Sequence, residues 1–222
     1  RLCLLMRTGS RVCDTALYLP CDDIMLGGEI ASRAAESFRI HGDRLEESLV
    51  DFDIIDDEAI LSASERDDCL EIGGARYRHI VIPDCEYMPP EVREIASRYP
   101  GAGIPPLECS NQNIRAVVRD TDDERICFIF NRGTSVETAE ICTKDERDCY
   151  MIAPDTGRMT YAGRERVNIK LESGEAAVLL LSDKDYPVYA DEREVCRLSS
   201  PKLCGVRRFK IDSGGVSSES LD

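Results

Sequence analysis

The stretch YPGAGIPPLECSNQN, Tyr99 to Asn113, does most to limit what this chain can fold into, because the pattern of the sequence changes across it. Rich in Pro, Gly and Asn, it reads as a linker centred on residues 107–113. Upstream of it, short apolar runs alternate with helical patterns. TALYLP (Thr15–Pro20) is a strand ended by proline. GGEIASRAAESFRIHGDRLEESLV sets Ile30, Ala34, Phe38, Leu45 and Leu49 on one stripe at helical spacing, with Gly42 weakening its middle. DFDIID (Asp51–Asp56) is a second strand and DEAIL a short helix. CLEIGGARYRHIVIPD is two short strands turning at Gly73-Gly74, then a buried strand Ile80–Pro83. PPEVREIASRYPG opens with proline in a first helical turn and stops at Pro100-Gly101. This order predicts an α/β domain over residues 14–106, a flavodoxin-like layer around a parallel sheet.

Downstream, the segments are short, strand-like and separated by turn signals: IRAVVRD, RICFIFN, SVETAEIC, DCYMIAP, RMTY, RVNIKL and AAVLLLS. Val167, Ile169 and Leu171 alternate with polar neighbours, as in a half-buried strand, while CFIF and VLLL are continuous apolar runs. The spacing predicts a small antiparallel β-sandwich over residues 114–182. Within it, Pro154-Asp155-Thr156-Gly157 reads as a tight turn, with proline at the first corner and glycine where a positive φ is needed. Asp155 is then expected to serve the turn's own backbone rather than a metal or a sugar.

Composition removes several functions. A formal net charge of −15 repels nucleic acid and anionic membrane surfaces, so neither is an expected partner; neutral ligands such as sugars remain compatible. Eleven cysteines occur without a Cys-x-x-Cys pair and with only His41 and His79 as imidazoles, so no zinc site is expected and no cofactor is called for. The cysteines read as small apolar residues of a reduced, cytoplasmic protein. No apolar run approaches membrane-spanning length. The absence of Trp weighs against an independent sugar-binding module.

Two places could carry chemistry. Cys85 in VIPDCEYMPP follows a buried strand, where class-I glutamine amidotransferases keep their nucleophile. Its neighbours Asp84 and Glu86 would raise the thiol pKa, and neither histidine stands in a suitable pattern, so Cys85 reads as a structural thiol. The acidic pair Asp22-Asp23 follows strand TALYLP, and ligands of open α/β sheets bind beyond the carboxyl ends of strands. Asp22, Asp23, Asp84 and Glu86 are therefore the candidate ligand-binding residues, although Asp also serves as a helix cap and a loop residue. With 43 acidic residues, pairs of carboxylates for glycoside hydrolysis could be drawn anywhere, and no spacing in sequence encodes them.

An ordered series of short motifs resembles α-L-rhamnosidase-like glycoside hydrolases (family 106, family 2-like). RLCLLMRTGSRVCDTALYLPCDD is similar to a junction of those proteins, matching at Arg1, Leu2, Leu5 and Gly9 in the helix and at Val12, Asp14, Ala16, Tyr18 and Pro20 in the strand. FDIIDDEAIL, LEIGGARYRHIVIPDCEYMPPEV, ICFIFNRGTSVET, YMIAPDTGRM and NIKLESGEAAVLLL resemble further segments in order, as far as about Ser182. There are departures: Tyr150-Met151 replaces an expected Trp, Ala153 replaces an Asp, and the strand expected after REIASRYPGAGIPP is not recognisable.

The resemblance implies a fragment. Residues 1–13 would end the last helix of an upstream catalytic barrel, 14–106 would be an amidotransferase-like α/β domain, and 114–182 an accessory sandwich. The tail 183–222 would begin a further β domain. Both ends of the sequence look cut. The implied role is non-catalytic: buttressing the barrel, shaping its pocket or supporting a homo-oligomer, with the carbohydrate substrate held mainly by the upstream domain. No catalytic residue carries over. The rival readings are a free-standing amidotransferase-like enzyme or small-molecule sensor using the acidic strand-end edge, and an interaction scaffold.

Overall fold

The computed structural model describes residues 2–154, 156–188, 207–212 and 215–220. Contacts group the chain into two units, Arg1–Tyr189 and Ala190–Asp222. The first opens with α1 (Leu2–Leu5), β1 (Ser10–Arg11), β2 (Thr15–Tyr18), α2 (Cys21–Leu26) and α3 (Gly28–Glu47). Next come β3 (Phe52–Ile55), α4 (Asp57–Leu61), β4 (Ser64–Arg66), β5 (Cys69–Ile72), β6 (Ala75–Tyr77), β7 (His79–Val81) and α5 (Pro90–Ala96). It closes with β8 (Glu108–Cys109), β9 (Ile114–Asp120), β10 (Glu124–Asn131), β11 (Glu137–Cys142), β12 (Asp148–Ile152), β13 (Met159–Arg164), β14 (Arg166–Leu171) and β15 (Ala176–Ser182). The architecture is mixed α/β, built from several small sheets.

Strands β3, β2 and β7 form a parallel sheet in that order. Residues of β2 alternate between its two faces. Ala16 and Tyr18 join Ile60, Leu70, Val92 and Ala96 on one side, while Leu17 joins Leu45 and Val50 on the other. Helix α3 therefore covers one face, and α4, α5 and the β4-β5-β6 meander cover the other, as a parallel sheet requires. Gly42 does not interrupt α3. A Cβ there would sit 3.7 Å from Leu17 and 3.8 Å from Phe52, so the glycine lies where the helix packs on the sheet. The sheet's outer edge ends in a single parallel bridge, Ile80 to Pro100. Proline has no N–H to give, so a ladder cannot easily grow from it, and among the described residues no fourth strand joins this sheet.

Local signals fix the joints. Asp56 caps α4 by accepting from the Ala59 N–H at 2.9 Å. Gly73 and Gly74 both take positive φ, 57° and 88°, in the two-residue turn between β5 and β6. Helix α3 ends with Val50 N–H bonded to Leu45 C=O and Leu49 N–H to Glu46 C=O, the pattern of a Schellman motif with Leu49 at φ 60° in the position glycine usually fills. Leu49 is 6% exposed and belongs to the main core of the β segments. Burial of that side chain offsets the left-handed backbone, and it ties α3 to the strands that follow.

Those strands form an antiparallel six-stranded sheet, β1-β9-β10-β15-β12-β13, and a three-stranded sheet, β14-β11-β8. Val118, Cys127, Ile129, Leu179 and Leu181 of the first share one core with Ala139, Ile141, Val167, Ile169 and Leu171 of the second. Strand β14 alternates exposed and buried along its whole length. Strand β15 is buried on both faces, because Val178 and Leu180 meet a second cluster with Ile126, Tyr150 and Ile152, against which Leu5 and Tyr186 pack. The turn after β12 is a hairpin: Ala153 N–H donates to Arg158 C=O at 2.9 Å, and Gly157 takes φ 74°. Asp155 lies outside the described residues. In the second unit, β16 (Arg207–Asp212) pairs antiparallel with β17 (Gly215–Ser220); of the rest of the expected β tail, residues 183–188 are described and carry no strand, and the others lie outside the described residues. No described helix is long and apolar enough to cross a membrane.

Candidate functional site

The four acidic residues singled out from sequence do gather at one place, the carboxyl end of the parallel sheet. Asp23 stands in the first turn of α2, just beyond β2, and Asp84 to Tyr87 lie in the loop leaving β7. Asp23 joins the two. It is 1% exposed, its Oδ1 accepts the Glu86 N–H at 2.8 Å, and its Oδ2 accepts the Tyr87 N–H at 2.9 Å. Both carboxylate oxygens are thus engaged by backbone donors. The same loop is held from the other side by Ser37 of α3, whose Oγ accepts the Asp84 N–H at 2.9 Å. Asp22, Asp84 and Glu86 are exposed, and Glu86 meets Arg33 of α3 at 3.1 Å. Nothing in the local sequence marks Ser37 or Arg33 as partners of this loop, since α3 is contributed from about fifty residues upstream.

Apolar side chains lie bare beside these carboxylates. Met25 is 83% exposed, Leu26 61%, Tyr87 52% and Ile24 37%. Ile24, Met25 and Leu26 belong to helix α2, which has only six residues and stops at Gly27, with φ 76°. Exposed apolar side chains and exposed carboxylates thus occur together in the two segments at the sheet's carboxyl end.

Cys85 is half-buried in this loop. Burial is the largest influence on its thiol and pushes it up; Arg93 opposes, and Asp23 and Asp84 add to the rise. The direction expected from its neighbours holds, but the leading cause is desolvation, and Asp23 acts on the thiol in addition to Asp84. The two imidazoles are occupied elsewhere: His41 Nδ1 lies 2.8 Å from the Ser37 carbonyl, and His79 stands at the far end of β7, near the Pro100 carbonyl. A Cys-His couple is not assembled here. Among the described residues, no group of three or more His, Cys, Asp or Glu is placed to hold a metal.

A second polar cluster went unnoticed in sequence. Asp53 of β3 accepts from Tyr77 Oη at 2.9 Å and from Arg11 Nη1 at 2.6 Å, and Cys13 Sγ lies 3.6 Å away. Burial raises the Asp53 carboxyl, and the hydrogen bonds from Arg11 and Tyr77 outweigh it, so the net direction is down. Burial pushes the Cys13 thiol up to about 12. These groups satisfy one another and brace β1 against β3; a reactive thiol is not among them.

No family model matches this chain, and no curated protein does either. A likeness of fold to a solved structure is found. A rhamnosidase from Novosphingobium sp. PP1Y superposes with a TM-score of 0.56 at 13% identity, over 83% of this chain and 24% of that one. A catalytic mutant of Gan42B, a GH42 β-galactosidase from G. stearothermophilus, covers 78% of this chain and 41% of its own at 11% identity, with a TM-score of 0.45, too loose to carry an argument. This chain spans about a quarter of the rhamnosidase's length. The likeness is one of fold.

Proposed function

We propose that this chain is a non-catalytic accessory region of a multidomain, α-L-rhamnosidase-like glycoside hydrolase, and that it buttresses an upstream catalytic barrel or an oligomer interface. In this reading the three-stranded parallel layer is a reduced flavodoxin-like domain over residues 14–106. Residues 107–113, which include strand β8, join it to a β-sandwich over 114–182, and the tail begins a further β domain. The observation that carries the reading is the apolar surface of Met25, Leu26, Tyr87 and Ile24, bare at the strand-end edge. Exposed apolar side chains set among charges are what a neighbouring domain covers. Asp22, Asp84 and Glu86 then act as its rim, and Asp23 as the clamp that shapes it. The shared fold with one quarter of a rhamnosidase supports this, as does the ordered series of motifs.

Two measurements test the reading. The coding sequence upstream of Arg1 is expected to contain a barrel-sized segment, and its absence sinks the proposal. This chain alone, assayed on aryl α-L-rhamnosides, is expected to give no turnover above a buffer control. Turnover that survives purification would place the chemistry within these residues and overturn the accessory role.

A further inference from the structure

A cleft of about 500 Å³ lies between the end of α3, the start of β3 and strands β9 and β10, away from the strand-end edge. Arg115, Arg132, Glu46, Asp51, Phe52 and Phe130 line it. Arg115 is only 9% exposed. Its Nη1 donates to the carbonyls of Gln112 and Ile114, but its Nε is buried without a hydrogen-bond partner among the described residues. The nearest carboxylate oxygen, Glu46 Oε2, is 3.6 Å from that Nε, beyond hydrogen-bond range. The same oxygen lies 3.0 Å from Arg132 Nη1. Asp51, on the same cleft, is held by Arg11 through both Nε and Nη2, and Arg11 also reaches Asp53.

Two guanidiniums therefore share one carboxylate oxygen, in a chain whose net charge is −15. One buried N–H has no hydrogen-bond partner among the described residues, and two phenyl rings line the same cleft. We propose that this cleft binds an organic carboxylate with an apolar body, its carboxylate taken by Arg115 and Arg132 and its body laid against Phe52 and Phe130. A planar carboxylate matches the guanidinium fork in both geometry and charge, whereas a neutral amide matches only the shape. Glu46 is half exposed and can turn to solvent as the ligand enters, so it acts as a competitor for the same donors.

The experiment follows the arginine Nε–Hε resonances of the full chain by ¹⁵N NMR during titration with sodium benzoate, benzamide and sodium acetate. Benzoate is expected to shift the Arg115 signal saturably, at a concentration about tenfold below that needed for benzamide or acetate. Benzamide isolates the charge and acetate isolates the apolar body. Because Arg115 is buried and its loss threatens folding, the variants are made at exposed positions. Arg132→Gln is expected to weaken benzoate about fivefold, and Glu46→Gln to tighten it, with the remaining spectrum unchanged. Equal binding of benzoate and benzamide overturns the proposal. So does an Arg115 signal that stays fixed at high benzoate, or benzoate binding that is indifferent to both variants.

Discussion

Replacing Asp23 by alanine tests whether the strand-end edge is held by a clamp. The carboxylate is 1% exposed and accepts two backbone N–H groups, from Glu86 at 2.8 Å and Tyr87 at 2.9 Å. A hydrogen bond to a charged group contributes about 1.5–3 kcal/mol, and removing its acceptor leaves the donor unpaired. The Glu86 and Tyr87 side chains are exposed, so water can reach part of this loop and the low end of the range applies to each bond. Asp23→Ala is then expected to cost roughly 3 kcal/mol, and Asp23→Asn, which keeps one acceptor, roughly half of that. Urea denaturation gives the global loss, and amide hydrogen exchange gives the local one, with the Glu86 and Tyr87 amides losing most protection. A cost below about 1 kcal/mol with unchanged protection at those two amides would refute the clamp. Asp23 would then be free to serve a ligand.

Two further outcomes follow from single groups. Gly9→Ala combines φ 68° with a Cβ only 2.3 Å from the Asp120 carbonyl oxygen, a backbone atom that cannot turn aside. The left-handed backbone alone costs about 1–2 kcal/mol, so a melting-temperature drop of several degrees is expected, and an unchanged melt would show that β1 is not seated on β9. The Asp145 carboxyl is held low, chiefly by hydrogen bonds from Arg147, which outweigh the upward push of burial. A depressed folded-state pKa gives stability that is present above the unfolded value, about 3.9, and lost as pH falls through the folded one. Asp145→Asn should therefore destabilise the protein at pH 7 and flatten the acid limb of its stability curve. A variant curve parallel to the wild type below pH 4 would contradict that sign.

The parts of the fold legible in sequence are those fixed by neighbours in the chain. Gly73-Gly74 must turn, RVNIKL must show one face to a core, and Asp56 must cap the helix that follows it. What could not be read depends on partners far along the chain. Gly42 looked like a flaw in a helix and is a packing contact, because Leu17 and Phe52 come within 4 Å of where its side chain would be. Leu49 occupies a glycine's conformation, for which only its burial against residues beyond 107 accounts. The candidate edge was half legible. That Asp22, Asp23, Asp84 and Glu86 share the end of one sheet follows from strand-then-loop order. That Asp23 turns inward while the others face water depends on the backbone of a loop more than sixty residues away. Arg115 left no sign at all, since IRAVVRD reads as any half-buried strand and its orphaned Nε exists only once α3 packs alongside.

On the proposed accessory role, the clamp and the exposed apolar side chains act together. A bare Met-Leu pair on a flexible spur would lose side-chain and backbone entropy on docking, and that loss would offset much of the apolar gain. Asp23 and Ser37 fix the loop of Tyr87 against α2 and α3 before any partner arrives, so the surface is already shaped. The rim sets the direction of approach. With Asp22, Asp84 and Glu86 exposed on a chain of charge −15, an acidic neighbour is repelled at a distance and a cationic or neutral one is admitted. On that proposal, apolar area would supply the affinity and the carboxylates the selectivity. It follows that Asp23→Ala should weaken docking even though Asp23 itself, being buried, touches no partner, and that added salt should slow association with a cationic partner more than it speeds release.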